Sequence, residues 1–145
     1  MTTITLATIE RFYKNNGNHA EQVLAYTLTK EVRTHDHVAF DKGSDIPEFK
    51  MSVKSGGATL MSGNLCHFEK KEAIINEFFE RTASELFAYV VGDFSTAYVM
   101  NCVEFAEFLA QFSNTCREST QNGGKTKVQI YKESQKMLRW FAERV

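Results

Sequence analysis

The sequence predicts a mixed α/β (α+β) domain in which helices flank a central mixed β-sheet, and two observations lead to this fold class. The chain has 145 residues, of which 43% are hydrophobic and 24% are charged, a length and composition typical of one globular domain. Apolar residues recur with helical spacing in some segments and alternate with polar residues in others. We therefore interpret residues 1–145 as a single domain.

The first thirty residues carry a helical pattern that is interrupted once. The interruption is the run Asn15-Asn16-Gly17-Asn18, whose residue types tolerate left-handed backbone and break helices. Asn18 and Glu21 match the spacing of a capping box, which predicts that a second helix starts there and continues to about Glu31. The apolar residues that predict the first helix are Ile4, Leu6, Ile9, Phe12 and Tyr13.

The middle of the chain changes to the two-residue period of β-strands. Between residues 49 and 54, apolar residues alternate with Lys50, Ser52 and Lys54, which places these three polar side chains on one face of a strand. Gly56-Gly57 then turns the chain. The other predicted elements are strands near 38–40, 58–61, 87–91, 98–100 and 128–131, and helices over 69–81, 103–112 and 134–145 with Ser134 as the last N-cap.

The cysteine pattern argues against a disulfide framework and against a zinc site. Cys66, Cys102 and Cys116 are odd in number, widely spaced and free of any Cys-x-x-Cys pair, so we expect free thiols. Free thiols indicate a reducing compartment, and we expect a cytoplasmic protein. No apolar run approaches the ~20 residues of a membrane span, and the N-terminal residues lack the features of a signal peptide, so no membrane partner is expected.

Residues 43–56 form the segment with the clearest chemical content. They include two carboxylates, Asp45 and Glu48, and two lysines, Lys50 and Lys54, at a turn followed by a strand. Carboxylates bind Mg²⁺, which neutralises the charge that builds on a phosphate during phosphodiester hydrolysis. A nearby lysine can orient or deprotonate the attacking water. Because alternate strand positions share a face, side chains at positions 48, 50, 52 and 54 are expected to face one metal ion.

The order of these residues resembles the core of the PD-(D/E)XK nuclease superfamily, which includes restriction endonucleases and archaeal Holliday-junction resolvases. Those proteins have a helix with a Glu, then a turn such as Gly-Ser-x-Asp-Ile or Pro-Asp, then a strand ending in (Asp/Glu)-x-Lys-Ser. Here the predicted helix contains Glu21, the turn reads Gly43-Ser44-Asp45-Ile46, and the strand ends Ser52-Val53-Lys54-Ser55. The resemblance covers about residues 18–62 and implies a restriction-endonuclease-like fold.

The resemblance also implies a function, that of a metal-dependent DNA endonuclease of the restriction type that uses Mg²⁺ or Mn²⁺. Asp45 would be the metal-binding aspartate, Lys54 the catalytic lysine and Glu21 an accessory acid from the helix. Ser52 stands where the superfamily has Asp or Glu and is kept in the catalytic set for that reason. Glu48 is the simplest source of a second carboxylate and completes the catalytic set. We expect a homodimer, because an enzyme with one site per subunit needs two subunits to cut both strands.

Three other interpretations stay open at this point. In a second register, Glu48-Phe49-Lys50 is itself a Glu-x-Lys triplet, with Asp36 or Asp41 as the upstream acid. Serine is a poor metal ligand, so Ser52 also leaves open a nuclease-like module without catalysis that binds DNA or another protein. A third possibility is an unrelated α/β protein in which the motif is a coincidence.

Basic and polar residues outside the metal-binding set predict contacts with DNA. Lys50 and Ser55 flank the motif, while Lys125 and Lys127 follow a polar loop over 119–125 that could track the phosphate backbone. The net charge of −1 allows this, because affinity for DNA depends on local clusters of Lys and Arg. The basic residues near the C-terminus are Arg117, Lys125, Lys127, Lys132, Lys136 and Arg139.

Two further patterns are weaker indicators of a ligand site. The histidines of His35-Asp36-His37 would share a strand face, but no third metal ligand lies nearby in the sequence. Gly123-Gly124-Lys125 is too short to form a phosphate-binding P-loop.

Overall fold

The computed structural model describes residues 1–32, 44–61, 70–115 and 126–145. Within these ranges the chain contains four α-helices and seven strands, which confirms the predicted mixed α/β class. None of the helices in the described ranges is both long enough and apolar enough to cross a membrane. The elements are β1 (Thr2–Thr5), α1 (Asn16–Thr29), β2 (Met51–Ser55), β3 (Thr59–Met61), α2 (Lys71–Arg81), β4 (Leu86–Val90), β5 (Thr96–Met100), α3 (Cys102–Phe112), β6 (Ser113–Thr115), β7 (Lys127–Ile130) and α4 (Gln135–Ala142).

The N-terminal segment begins with a strand, so the first predicted helix is wrong. Strand β1 pairs antiparallel with β5, in a register that runs from Thr2 opposite Val99 to Thr5 opposite Thr96. The segment Thr-Thr-Ile-Thr consists of β-branched residues, which lose side-chain freedom in a helix and fit a pleated sheet. The spacing of the apolar residues was therefore a poorer guide here than the shape of the side chains.

Helix α1 begins three residues earlier than the capping pattern predicted. Asn15 is the N-cap, and its side-chain oxygen accepts a hydrogen bond from the backbone N–H of Asn18 at 3.1 Å. The predicted capping box of Asn18 and Glu21 is therefore wrong. The earlier start places Glu21 in the second turn of the helix, where its side chain is not part of the cap.

The strands form two sheets instead of the single central sheet that was predicted. In the first sheet the strand order is β1-β5-β4-β2, with β2 parallel to β4 and the other neighbours antiparallel. The second sheet is antiparallel, in the order β3-β7-β6. Strand β6 has only three residues, Ser113–Thr115, and its polar sequence carries no alternation from which a second sheet could be predicted.

Most predicted elements after residue 57 are confirmed within the described ranges. The predicted strands near 87–91 and 98–100 are β4 and β5, and they pair with each other. Ser134 caps α4 as predicted, since its hydroxyl oxygen accepts the N–H of Met137 at 3.2 Å. The predicted strand at 38–40 and the loop over 119–125 lie outside the described residues.

The two faces of the first sheet are covered by different cores. On one face, α1 packs against Met51 and Val53 of β2 and against Ala88 and Val90 of β4. The other face is aromatic; there Phe87 stacks on a ring of α3 with centroids 4.4 Å apart. Successive strand residues point to opposite faces, so β4 and β5 contribute residues to both cores.

Candidate active site

Asp45 and Lys54 are brought together by a tight reversal of the chain before β2. Pro47–Phe49 forms one turn of 3₁₀-helix, and Ile46 and Met51 on either side of it exchange backbone hydrogen bonds of 3.0 and 3.2 Å. The reversal places Asp45 beside β2, where its Oδ2 accepts the N–H of Val53 at 2.7 Å. A carboxylate held by a backbone donor next to Lys54 has a fixed position.

Glu21 reaches the same place from α1. This helix packs on β2 through Ala20, Val23 and Leu24, which are all buried. The carboxylates of Asp45 and Glu21 both lie close enough to Lys54 to favour its charged form. The charges of Asp45 and Glu21 therefore both act on Lys54, although the three residues come from a turn, a helix and a strand.

Burial of Lys54 changes its chemistry. Desolvation lowers the pKa of the Lys54 amine, and this effect outweighs the opposing influence of Asp45 and then of Glu21. A buried lysine loses part of its proton occupancy at a pH where an exposed lysine is fully protonated. Lys54 can therefore accept a proton more readily than an ordinary lysine, which is the property that a base in hydrolysis requires.

The pair of carboxylates fits Mg²⁺ better than it fits zinc. Within the described ranges there is no group of three His, Cys, Asp or Glu side chains that could hold a metal ion, so a closed protein cage is not formed there. Mg²⁺ often binds to only one or two carboxylates and takes its remaining ligands from water and substrate phosphate. Asp45 and Glu21 are the two carboxylates whose charges act on Lys54.

Glu48 and Lys50 do not lie on the strand face with Lys54, which corrects the predicted arrangement. Glu48 is exposed on the 3₁₀ turn. Lys50 has a left-handed backbone, φ 47°, and its amine forms an exposed ion pair with Glu85 at 3.3 Å. Strand β2 begins only at Met51, because the left-handed residue ends the turn before extended backbone can start. Glu48 is thus not positioned by β2 as a second carboxylate.

Ser52 belongs to a buried chain of hydroxyl groups. Its Oγ lies 2.6 Å from the Oγ of Ser84, which lies 3.0 Å from the Oγ of Ser44. All three serines are buried, with exposed fractions of 4–6%. A hydroxyl that is buried and hydrogen-bonded within the protein stabilises the fold and is poorly placed to bind a metal ion. The predicted catalytic role of Ser52 gains no support from this arrangement.

A substitution distinguishes a structural role of Ser52 from a catalytic one. We expect Ser52→Ala to lower the free energy of unfolding by about 1–2 kcal/mol, since one buried hydrogen bond is lost. Ser44→Ala, at the other end of the same hydroxyl chain, is expected to have a similar effect. Urea denaturation measures both, and neither variant should lose an activity that depends on Lys54. A well-folded Ser52→Ala protein without activity would return Ser52 to the catalytic set.

A cleft of about 330 Å³ lies just beyond Lys54 along β2, and Glu21, Asp45 and Lys54 are not among its lining residues. It lies at the carboxyl ends of the parallel strands β2 and β4, the usual place for ligands in open α/β sheets. Ser55, predicted to contact nucleic acid, lines this cleft directly after Lys54. The other lining residues, which sequence reasoning missed, are Asn15, Asn16, Gly17, Gly56, Gly57, Gly92 and Phe94.

Phe94 is held in an uncommon conformation at the wall of the cleft. Its backbone is left-handed, φ 59°, a region that bulky residues adopt rarely and at a cost in strain. The ring contacts His19 edge-on at 4.6 Å, and the Arg11 guanidinium lies 5.7 Å from its centroid. Burial and then the charge of Arg11 lower the pKa of His19. The only signal in the sequence was the turn-forming run Gly92-Asp93-Phe94-Ser95.

The predicted DNA-contacting lysines are dispersed. Lys50 pairs with Glu85, and Lys127 begins β7 in the second sheet. Lys136 and Arg139 line a separate shallow depression together with Trp140. Several residues singled out in the sequence lie outside the described ranges: Arg117, Lys125, His35, Asp36, His37 and Asp41.

Comparison with known proteins identifies no relative of this chain. The chain matches no protein-family model, no curated protein and no solved structure. Function must therefore be inferred from the convergence of Glu21, Asp45 and Lys54 and from the cleft beside them.

Proposed function

We propose that the protein is a metal-dependent DNA endonuclease of the PD-(D/E)XK type that hydrolyses phosphodiester bonds. The observation that carries the proposal is the convergence of Glu21, Asp45 and Lys54. The sequence motif assigns a role to each of these three residues, and the three lie on separate elements of the structure. A coincidental motif would give no reason for both carboxylates to approach the same lysine.

In this proposal Asp45 and Glu21 hold Mg²⁺ or Mn²⁺, which would neutralise negative charge on the substrate phosphate. The backbone N–H of Val53 fixes the orientation of Asp45, as outer hydrogen bonds do for metal-binding carboxylates. The Lys54 amine, whose pKa is lowered by burial, takes the proton of the attacking water. Ser55, Lys50, Lys125 and Lys127 would contact the nucleic-acid backbone.

The proposal includes a homodimer that acts in the cytoplasm. One Glu21–Asp45–Lys54 site cuts one strand, so cleavage of both strands needs a second subunit or a second binding event. An exposed free thiol at Cys102 is compatible with a reducing compartment.

A catalytically inactive nuclease-like module that binds DNA or protein is the second candidate, and Ser52 favours it. The position that supplies an acid in the superfamily is occupied here by a hydroxyl bonded to Ser84. With two carboxylates in place of three, metal binding could be too weak for turnover. Such a module would bind DNA in a salt-sensitive manner without cutting it.

The decisive experiment is incubation of the purified protein with supercoiled plasmid, linear duplex and a branched junction, each with Mg²⁺, Mn²⁺ or EDTA. We expect nicking or linearisation with either metal and none with EDTA. Salt-dependent binding without cleavage of any substrate would support the inactive module. Neither cleavage nor binding would contradict both functions and leave an unrelated α/β protein.

A further inference from the structure

A partly buried polar link borders the cleft. Tyr89 has an exposed fraction of 0%, and its hydroxyl donates a hydrogen bond to Glu133 Oε2 at 3.0 Å. The same carboxylate oxygen accepts the N–H of Gly92 at 2.9 Å. The backbone N–H of Gly56 faces the Tyr89 hydroxyl and has a small lowering effect on the pKa of Tyr89. The link therefore joins the end of β2, the end of β4 and the segment after β7.

This link lies next to the corner that follows Lys54. Tyr89 lies opposite Lys54 in the parallel register of β4 and β2, and Gly56 comes two residues after Lys54. Gly56 and Gly92 both line the cleft. Gly56 has a left-handed backbone, φ 57°, so the corner can adopt this shape but has no side chain of its own to fix it. The Tyr89 hydroxyl supplies the contact that fixes the shape of this corner.

Packing alone does not explain a phenol and a carboxylate at this position. The Tyr89 ring packs against Phe108 and Phe141, at centroid distances of 5.7 and 5.4 Å, and a phenylalanine would fill the same space. Burial of a polar pair costs free energy unless its hydrogen bonds are made. Burial and the neighbouring Glu133 also raise the pKa of Tyr89, so its hydroxyl stays protonated as the donor.

We infer that Tyr89 and Glu133 are positioning residues that hold the Lys54 end of β2 and the floor of the cleft in the geometry needed for reaction. This inference rests on the proposed nuclease function, since it assigns the two residues to the same site. Neither residue touches the substrate; both act through the backbone of Gly56 and Gly92. Displacement of a reacting group by about 1 Å can reduce a rate by about 100-fold.

The test compares Tyr89→Phe with Tyr98→Phe, which is a closely matched control. Tyr98 is opposite Tyr89 in the neighbouring strand, and its ring stacks on the same Phe141 at 4.4 Å. Both changes remove one hydroxyl from a tyrosine on Phe141. We expect Tyr89→Phe to lower kcat by about 10-fold or more with little change in KM, and Tyr98→Phe to leave both constants unchanged. Equal kcat values for the two variants would overturn the inference.

Glu133→Gln is the second variant, in case Tyr89→Phe does not fold. It retains a carbonyl oxygen that can accept the Gly92 N–H and removes the charge, so we expect a smaller loss of kcat than in Tyr89→Phe. Wild-type kcat in both Glu133→Gln and Tyr89→Phe would contradict a positioning role.

A readout without activity separates this inference from the proposed function. The ε-carbon of Lys54, observed by NMR in ¹³C-lysine-labelled protein at one fixed pH, reports the surroundings of its amine. We expect its chemical shift to change in Tyr89→Phe and not in Tyr98→Phe. If the wild-type protein cuts no nucleic acid, the proposed function is contradicted. The Lys54 signal then decides alone whether Tyr89 positions Lys54. An unchanged Lys54 signal in Tyr89→Phe would show that the link stabilises the fold without positioning Lys54.

Discussion

Replacement of Lys54 by methionine is expected to abolish metal-dependent DNA cleavage while the protein stays folded. Methionine keeps much of the length and apolar volume of the lysine stem, so packing at the end of β2 is preserved. The amine that takes a proton from water is lost, and loss of a general base typically reduces rates by about 10²–10⁴-fold. Plasmid nicking under single-turnover conditions measures the effect.

The control for this variant is Lys50→Met. Lys50 is only four residues away, but its amine is exposed and pairs with Glu85. If the first register of the motif is correct, Lys50→Met should retain cleavage. The second register, Glu48-Phe49-Lys50, predicts the reverse result. Full activity of Lys54→Met would remove Lys54 from the mechanism whatever Lys50→Met does.

The same variant is expected to raise thermal stability at neutral pH. Burial lowers the pKa of Lys54 in the folded state despite the attraction of Asp45 and Glu21. Between this lowered pKa and the ordinary value of 10.5, the unfolded chain binds more protons than the folded chain. The wild-type protein therefore loses stability as the pH falls through this window, and Lys54→Met does not. A gain in melting temperature at pH 7 that vanishes near pH 10 is the expected pattern.

The lowered pKa also predicts how cleavage depends on pH. Only the neutral amine accepts a proton, so the rate should rise with pH and level off above the pKa of Lys54, below the 10.5 of an ordinary lysine. The rise is expected to be absent from any residual activity of Lys54→Met. A wild-type rate that is flat with pH across this range would contradict a role for Lys54 as the base.

The sequence was sufficient to predict elements in which the pattern of apolar and polar side chains shows which face is buried. Helices α3 and α4 have apolar stripes and capping residues, and both lie close to their predicted positions. Strands β4 and β5 contain buried residues that are β-branched or aromatic, and the turn that joins the two strands contains a Gly-Asp pair. In contrast, β1 was assigned to a helix because apolar spacing was weighed above the β-branched shape of Thr2–Thr5. Strand β6 carries no pattern, so the second sheet could not be predicted.

The candidate site was predictable in its residue types and only partly in its geometry. Asp45 lies beside β2 and near Lys54 in spite of the short segment between them, because one 3₁₀ turn is enough to reverse the chain. The alternation rule failed for Glu48 and Lys50, since the left-handed backbone of Lys50 interrupts it. Tyr89 and Glu133 meet across 44 positions of the chain, and no local pattern carries such information.

Replacement of Asp45 by asparagine is expected to weaken Mg²⁺ and Mn²⁺ binding by at least about 10- to 100-fold, the range found when residues that merely orient metal ligands are changed. Asparagine retains an oxygen that can accept the Val53 N–H, so the turn before β2 should persist and the loss reflects the missing charge. Titration calorimetry measures the affinity, with Asp93→Asn as the control. Asp93 is exposed in the β4–β5 turn and accepts hydrogen bonds from Ser95, so its replacement should leave metal affinity unchanged.

The two variants also differ in their effect on Lys54. Asp45 favours the protonated form of Lys54, so Asp45→Asn should lower the pKa of Lys54 further, whereas Asp93→Asn should not change it. Weak metal binding in Asp45→Asn with normal binding in Asp93→Asn would identify Asp45 as a ligand. Equal and unchanged affinities would show that the Asp45 carboxylate serves only to hold Val53 and the turn, and the metal-dependent mechanism would lose its principal ligand.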